Sequence, residues 1–180
     1  MHAVRQSALA LFGLIVIMMA LSLNANAQPA KAAAPVCLPT ATLDQLPQAF
    51  DDAISGPGEK DRTCLRQLLM PDMRIVLTVR IAEGVLAPHS FTIDDWINAV
   101  SKRGQDSLYE REVKVETETF GQIAHLWCTY ELRPTPDGKA THRGIVSVEA
   151  VLDGENWKIA EVSWQPERPD EKPLPAKYLP

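Results

Sequence analysis

A pair of carboxylates in one predicted strand has the residue types and spacing for proton transfer. Glu110 and Glu112 alternate along the strand, so their side chains point the same way and could act on a substrate as acid and base. Alternating charges are also typical of a strand face that water covers. Because the charged pattern continues to Glu118, the sequence favours a solvated outer face for these acids.

Arg111 is then predicted on the opposite, otherwise apolar side of this strand, together with Tyr109. A buried cation is costly unless it is paired. Arg111 therefore either pairs with Glu149 of a neighbouring strand or faces a ligand pocket. In the next strand Gln122 and Tyr130 share the apolar face, where an amide and a phenol would give a ligand directional hydrogen bonds. Tyr130 fits a plain core aromatic equally well.

Three cysteines follow the apolar N-terminal segment. Cys128 falls on the apolar side of its strand and is most simply a small buried hydrophobe. In an oxidising compartment Cys37 and Cys64 would then form a disulfide, whereas three reduced thiols are the alternative. No Cys or His lies at ligand spacing from another, and no phosphate-binding loop or nucleophile motif is present, so we predict neither a metal nor a cofactor.

Four consecutive strands must position these side chains. The second strand alternates apolar and polar residues most clearly, which is typical of a half-buried antiparallel strand. Gly121, a Pro-rich loop and Asp153-Gly154 supply the turns of a meander. The predicted strands span residues 108–119, 122–133, 143–152 and 156–165.

The chain before this meander predicts helices and one strand. Apolar residues at three- and four-residue spacing indicate a helix after Thr42, with Pro47 near its start or at a kink. A second helix is predicted at residues 61–69 and a strand at 74–79, followed by a hairpin or loop. Thr92 caps a third helix that ends at Gly104.

The order of elements and four motifs resemble the nuclear transport factor 2-like superfamily, which includes SnoaL-like and ketosteroid isomerase-like members. This resemblance implies an α+β, cystatin-like cone, in which a curved, mostly antiparallel sheet wraps around about three N-terminal helices and encloses a pocket. The motifs are Tyr109-Glu110-Arg111-Glu112, Phe120-Gly121-Gln122-Ile123-Ala124-His125, Arg143-Gly144-Ile145 and Asp153-Gly154-Glu155-Asn156-Trp157-Lys158-Ile159.

The second face of the central strand is too apolar for plain exposure to water. Its residues are Ile123, His125, Trp127 and Thr129. An apolar sheet face needs a cover. Because relatives in the superfamily often dimerise through the outer sheet face, we expect a homodimer here.

The ends of the chain indicate export. Residues 1–27 combine Arg5, an apolar run and Ala25-Asn26-Ala27, which is typical of a signal peptide cleaved after Ala27; an uncleaved anchor is the alternative. After cleavage we expect no stable membrane insertion and a periplasmic or secreted protein. Residues 28–40 then form a flexible leader, residues 41–166 the domain, and residues 167–180 a Pro-rich tail.

Three classes of function remain. The net charge of -5 and the scattered basic residues disfavour nucleic acid. Our leading hypothesis is a binder of a small, largely apolar molecule without catalysis, with a pocket formed by Tyr109, Arg111, Gln122, Tyr130 and Glu149. The second is an isomerase, cyclase or dehydratase that uses Arg111 and Tyr130 to polarise a carbonyl and Glu149 as the base. The third is a scaffold that binds a protein partner through the outer face.

Overall fold

The computed structural model of this chain describes residues 34–80, 85–168 and 172–180. The predicted signal peptide and most of the predicted leader lie outside these residues. No helix among the described residues is both long enough and apolar enough to cross a membrane.

Three short helices precede or interrupt the sheet. A 3-10 turn at Leu43–Gln45 leads into α1 (Leu46–Ile54), with Thr42 and Gln45 forming a capping box and Pro47 in the first turn. α2 spans Thr63–Leu68, and α3 spans Ile93–Ser101 after a capping box between Thr92 and Asp95. These caps and the Pro position account for where the first and third helices begin, as the sequence predicted, whereas α2 begins without a side-chain cap.

Seven strands form one sheet in the order β1-β4-β5-β6-β7-β2-β3. All neighbouring strands are antiparallel except β2 and β7, which pair in parallel. The long strands of the meander agree closely with the predicted ones, and the predicted hairpin after β2 is present as β3. The strands are β1 (Gly56–Pro57), β2 (Leu69–Arg80), β3 (Leu86–Phe91), β4 (Ser107–Phe120), β5 (Ile123–Arg133), β6 (His142–Asp153) and β7 (Asn156–Pro166).

The core lies between α1, α2 and the inner face of this sheet. Leu46, Phe50 and Leu65 of the helices pack against Leu126 and Val146 of the central strands, all of them buried. The result is a curved sheet closed by N-terminal helices, so the predicted α+β cone is confirmed. Along one side of the core the helices do not fill the cone, and a cavity remains.

Candidate functional site

The cavity lies inside the cone, between α3 and the inner faces of β2, β4, β5 and β7. Its volume is about 300 Å³, at the small end of the range for ligand pockets. Polar side chains enter it only as Arg103, Glu110, the hydroxyl of Tyr130 and the indole N–H of Trp164. Apolar side chains make up the rest of the wall, including Ile54, Ile75, Leu77, Trp96, Val100 and Leu132.

Glu110 is the acid of this cavity. Its Oε1 accepts a hydrogen bond of 2.9 Å from Nε1 of Trp164. Burial raises the pKa of Glu110 from 4.5 to about 8; the Trp164 bond lowers it, and the nearby Asp51 raises it further. At neutral pH this carboxyl group is therefore mostly neutral, and it can donate a proton in a hydrogen bond to a bound molecule.

The backbone of Glu110 is tied to the end of α1, which fixes the side chain. Oγ of Ser55 accepts from the Glu110 N–H at 2.9 Å and donates to the Glu110 carbonyl at 3.3 Å. Beside it, β1 pairs with β4 at Gly56 and Leu108. The acid thus sits on a strand that is held both by the sheet and by the helix terminus.

Two further acids adjoin Glu110 on the side away from the cavity. The Glu112 N–H donates to Oδ2 of Asp51 at 3.1 Å, and one carboxylate oxygen of each of the three acids lies within 4.8 Å of the others. Oδ1 of Asp51 and Oε2 of Glu112 are buried without a hydrogen-bond partner among the described residues. Burial is the largest cause that raises the pKa of both Asp51 and Glu112, so this group retains protons that exposed acids would lose.

This spacing is also one that a single hard cation could span. The three acids are the residues, within the described part of the chain, that come closest to a metal-binding set. Without a cation, burial raises the pKa of Glu112 and of Glu110, so these neighbouring carboxyl groups retain protons.

A β-bulge explains why these acids point inward. Glu112 pairs with Tyr130 and Lys114 pairs with Thr129, so Val113 is an extra residue in β4. A bulge shifts the side-chain alternation by one residue. After the bulge, Val115 faces inward as predicted. Before the bulge, the side chains that were predicted to face outward face inward, and those predicted to face inward face outward. The interpretation of Glu110 and Glu112 as a solvated face was therefore wrong.

The same reversal removes Arg111 and Tyr109 from the predicted cavity. Arg111 is exposed and lines two outer grooves between α1 and β4, one of which Tyr109 also lines. Arg111 pairs in the sheet with Glu131, and no ion pair joins it to Glu149. Arg111 therefore neither forms the predicted ion pair with Glu149 nor lines the cavity inside the cone.

Of the other predicted pocket residues, only Tyr130 lines the cavity. Burial and the neighbouring Glu110 raise the pKa of its phenol. Its ring lies against Gly144, where a Cβ would come within 2.8 Å of the Tyr130 ring, so only glycine fits there. Gln122 is exposed in the turn before β5. Glu149 lies on the outer face, with one carboxylate oxygen 3.9 Å from Nε2 of His125, so its predicted role in the pocket is wrong.

The predicted dimer face divides into an open part and a covered part. Ile123 is 59% exposed and its cross-strand partner Phe120 is 85% exposed. His125 contacts Ser147 at 3.0 Å. Trp127 and Thr129, in contrast, lie under the C-terminal segment.

The C-terminal segment (residues 172–180) covers this part of the outer face. The ring of Tyr178 lies 6.1 Å from that of Trp127 in a tilted arrangement, and Thr129 donates to the Tyr178 carbonyl at 2.6 Å. Lys114 donates to the carbonyls of Lys177 and Leu179. The predicted anchoring of the tail by Tyr178 therefore has a specific contact surface.

The cysteines are arranged as the sequence suggested. Cys37 and Cys64 form a disulfide that joins the segment before α1 to α2. Cys128 is a buried free thiol whose pKa is raised by burial and by the three nearby acids.

Sequence reasoning missed Asp51 and Arg103. Asp51 follows Phe50 at the edge of the apolar stripe of α1, and Arg103 follows α3, where a basic residue ordinarily complements the helix dipole. Neither position departs from the pattern of a solvated residue. No signal in the sequence alone could have found them.

Comparisons with known proteins show the fold. No protein-family model and no curated protein matches the chain. A CaMKII hub from S. rosetta superposes with a TM-score of 0.51 at 16% identity, over 74% of this chain and 100% of that one. An NTF-2 like protein of unknown function from Silicibacter pomeroyi gives 0.47 at 19%, over 71% and 94%. A protein with a cystatin-like fold from Caulobacter vibrioides gives 0.45 at 17%, over 72% and 87%. The superposition on the hub supports the predicted α+β fold, and it leaves the function to be argued from the site.

Proposed function

We propose that this protein binds one small, largely apolar molecule in the cavity of the cone. The observation that carries the proposal is a preformed cavity of about 300 Å³ with mostly apolar walls and a few convergent polar groups. The apolar walls of this partly open pocket lack the packing contacts that a filled core has. A ligand restores those contacts.

Glu110 determines the orientation of the bound molecule. In its neutral form the carboxyl group donates one hydrogen bond, while the Trp164 N–H occupies Oε1. A ligand with a carbonyl or hydroxyl oxygen opposite Glu110 therefore gains a hydrogen bond in an apolar setting, where leaving that donor unpaired costs about 1–3 kcal/mol.

Native mass spectrometry of protein purified from its own host tests the proposal. We expect a retained small molecule in the wild type, and loss of that mass in Leu132→Trp, which fills the cavity. Gln48→Trp, which adds the same side chain to an outer groove, is the matched control and should retain the mass. A molecule that survives Leu132→Trp and is lost in Gln48→Trp would place binding outside the cone.

A second candidate function is an isomerase, cyclase or dehydratase activity with Glu110 as the proton-transferring group. The observation that favours it is the pKa of about 8, which makes both the acid and the base form of Glu110 accessible near neutral pH. Tyr130 would donate to the substrate oxygen. Glu110→Gln separates the two functions, because the amide can still donate a hydrogen bond but cannot transfer a proton. Unchanged binding together with lost turnover would identify an enzyme, whereas a binder has no turnover to lose.

We also propose that the mature protein is exported. The N-terminal pattern supports this, and so does the Cys37–Cys64 disulfide, since structural disulfides persist in oxidising compartments. N-terminal sequencing of the protein from its host should begin at or near Gln28. An intact Met1 in the membrane fraction would contradict export and indicate an anchor.

The homodimer remains a proposal, supported by the exposed pair Phe120 and Ile123 at the open end of the outer face. Ile123→Glu should shift a dimer to monomer in light scattering coupled to gel filtration. Glu118→Gln, on the same face, should not. Equal masses for wild type and Ile123→Glu would exclude this surface as the dimer interface.

A further inference from the structure

Arg103 brings a positive charge into the cavity, close to α3. It lies in the turn after this helix, where its backbone N–H donates to the Val100 carbonyl at 3.0 Å. Its side chain lines the cavity together with Trp96 and Val100. The apolar wall thus carries a guanidinium group as well as the carboxyl group of Glu110.

One donor of this guanidinium is left without a partner by the protein. Nε of Arg103 is buried and has no hydrogen-bond partner, and no carboxylate among residues 34–80, 85–168 and 172–180 lies within ion-pairing distance of it. Loss of hydration lowers the pKa of Arg103, and the distant Asp106 only partly offsets this effect. An arginine nevertheless stays charged in a protein. A buried donor of this kind is costly when it is left without an acceptor.

A second guanidinium strengthens the positive potential nearby. Arg62 is only 4% exposed, and its terminal nitrogens donate to the carbonyls of Ala53, Ser55 and Pro57 at 2.8–3.1 Å. These carbonyl groups accept from its terminal nitrogens without neutralising its charge, while its Nε is buried without a partner. Besides burial, repulsion from Arg103 lowers the pKa of Arg62, so the two cations are close enough to sense each other.

We propose that Arg103 binds the carboxylate of an amphipathic ligand whose apolar part fills the cavity. The guanidinium fork matches the two oxygens of a carboxylate, and the low polarity of the walls strengthens this charge-assisted bond. The small cavity limits the apolar part to a medium-length chain or a single ring system. The inference rests on the proposed binding function and adds the chemical class of the ligand.

The test compares two probes of equal chain length, octanoate and 1-octanol, by titration calorimetry at pH 7. The wild type should bind octanoate at least about tenfold more tightly than octanol, as expected for a hydrogen bond to a charged group. Arg103→Met should abolish that preference by weakening the binding of octanoate relative to that of octanol. Arg111→Met, which removes an exposed arginine from an outer groove, should behave as wild type. Arg103→Gln serves as a second variant, and near-ultraviolet circular dichroism checks that each variant is folded.

Two results would overturn the inference: a wild type that binds both probes equally, or an Arg103→Met or Arg103→Gln protein that keeps its preference for octanoate. Either would leave the binding function standing, provided octanol binds and Leu132→Trp prevents it. If neither probe binds and no mass is retained from the host, the binding function fails and the inference fails with it.

Discussion

Replacing Glu110 with glutamine should remove a large part of the pH dependence of stability. The folded protein holds the Glu110 proton up to a pKa of about 8, whereas the ordinary value of 4.5 describes the unfolded chain. Between these pH values the folded state binds one more proton than the unfolded state. Stability is therefore highest below pH 4.5 as far as Glu110 is concerned, and it falls as pH rises through the window, by about 1.4 kcal/mol per pH unit.

Over the whole window this linkage amounts to about 5 kcal/mol as an upper bound. Glu110→Gln keeps the size of the side chain and an oxygen that can accept the Trp164 N–H, but it cannot ionise. We expect wild type and variant to have similar free energies of unfolding at pH 5. At pH 8 the variant should be more stable by several kcal/mol.

Urea denaturation at pH 5, 6, 7 and 8 measures this difference, with the disulfide kept intact. Glu118→Gln removes an exposed acid from the same strand and is the matched control for the change in net charge. Asp51 and Glu112 titrate in both proteins, and Glu110 raises the pKa of Glu112, so the difference measures Glu110 together with its coupling to these two acids. A difference between wild type and Glu110→Gln that stays constant from pH 5 to pH 8 would refute the assignment of the raised pKa to Glu110.

Three more outcomes follow from the covalent and peripheral contacts. Cys37→Ser combined with Cys64→Ser opens a loop of 27 residues and should lower the free energy of unfolding by about 3 kcal/mol in urea, whereas an unchanged midpoint would show that the bond contributes nothing. Cys128 should react with a thiol reagent only after denaturation, giving one thiol per chain; rapid reaction of the native protein would contradict its burial. A chain that ends at Pro166 should show red-shifted tryptophan emission, because Trp127 loses its cover by Tyr178, and Trp127→Phe in the truncated chain should cancel the shift.

The local elements could be predicted because short-range rules determine them. The strands of the meander follow from alternation and from glycine turns, with Gly121 and Gly154 both at positive φ. The capping boxes at Thr42 and Thr92 likewise mark helix starts in the sequence. Even the disulfide could be proposed, since the apolar setting of Cys128 left only one pair.

The site could not be predicted to the same degree, because it depends on a single extra residue. Val113 is a β-branched residue that suits a regular strand, and no adjacent residue in the sequence indicates a bulge. The bulge exchanges the two faces of the part of β4 that precedes it. Arg111 therefore lies outside the cavity and Glu110 lies inside it, the reverse of the prediction. Because burying a carboxyl group costs free energy, the sequence also favoured the outer face for Glu110. In the folded protein this cost is visible as the raised pKa of Glu110.

The parallel pairing of β2 with β7 has a consequence for how the chain reaches its fold. Leu69 in β2 lies beside Ile159 in β7, ninety positions later in the chain, so this ladder forms only after nearly the whole sequence has been synthesised. The β4–β7 meander can form from neighbouring strands, but β2, which supplies Ile75 and Leu77 to the cavity wall, joins the sheet only when the last strand, β7, is present. Such long-range closure slows folding. In the export that we propose, this delay would keep the polypeptide unfolded, and therefore able to pass through a membrane, until its last strand has emerged.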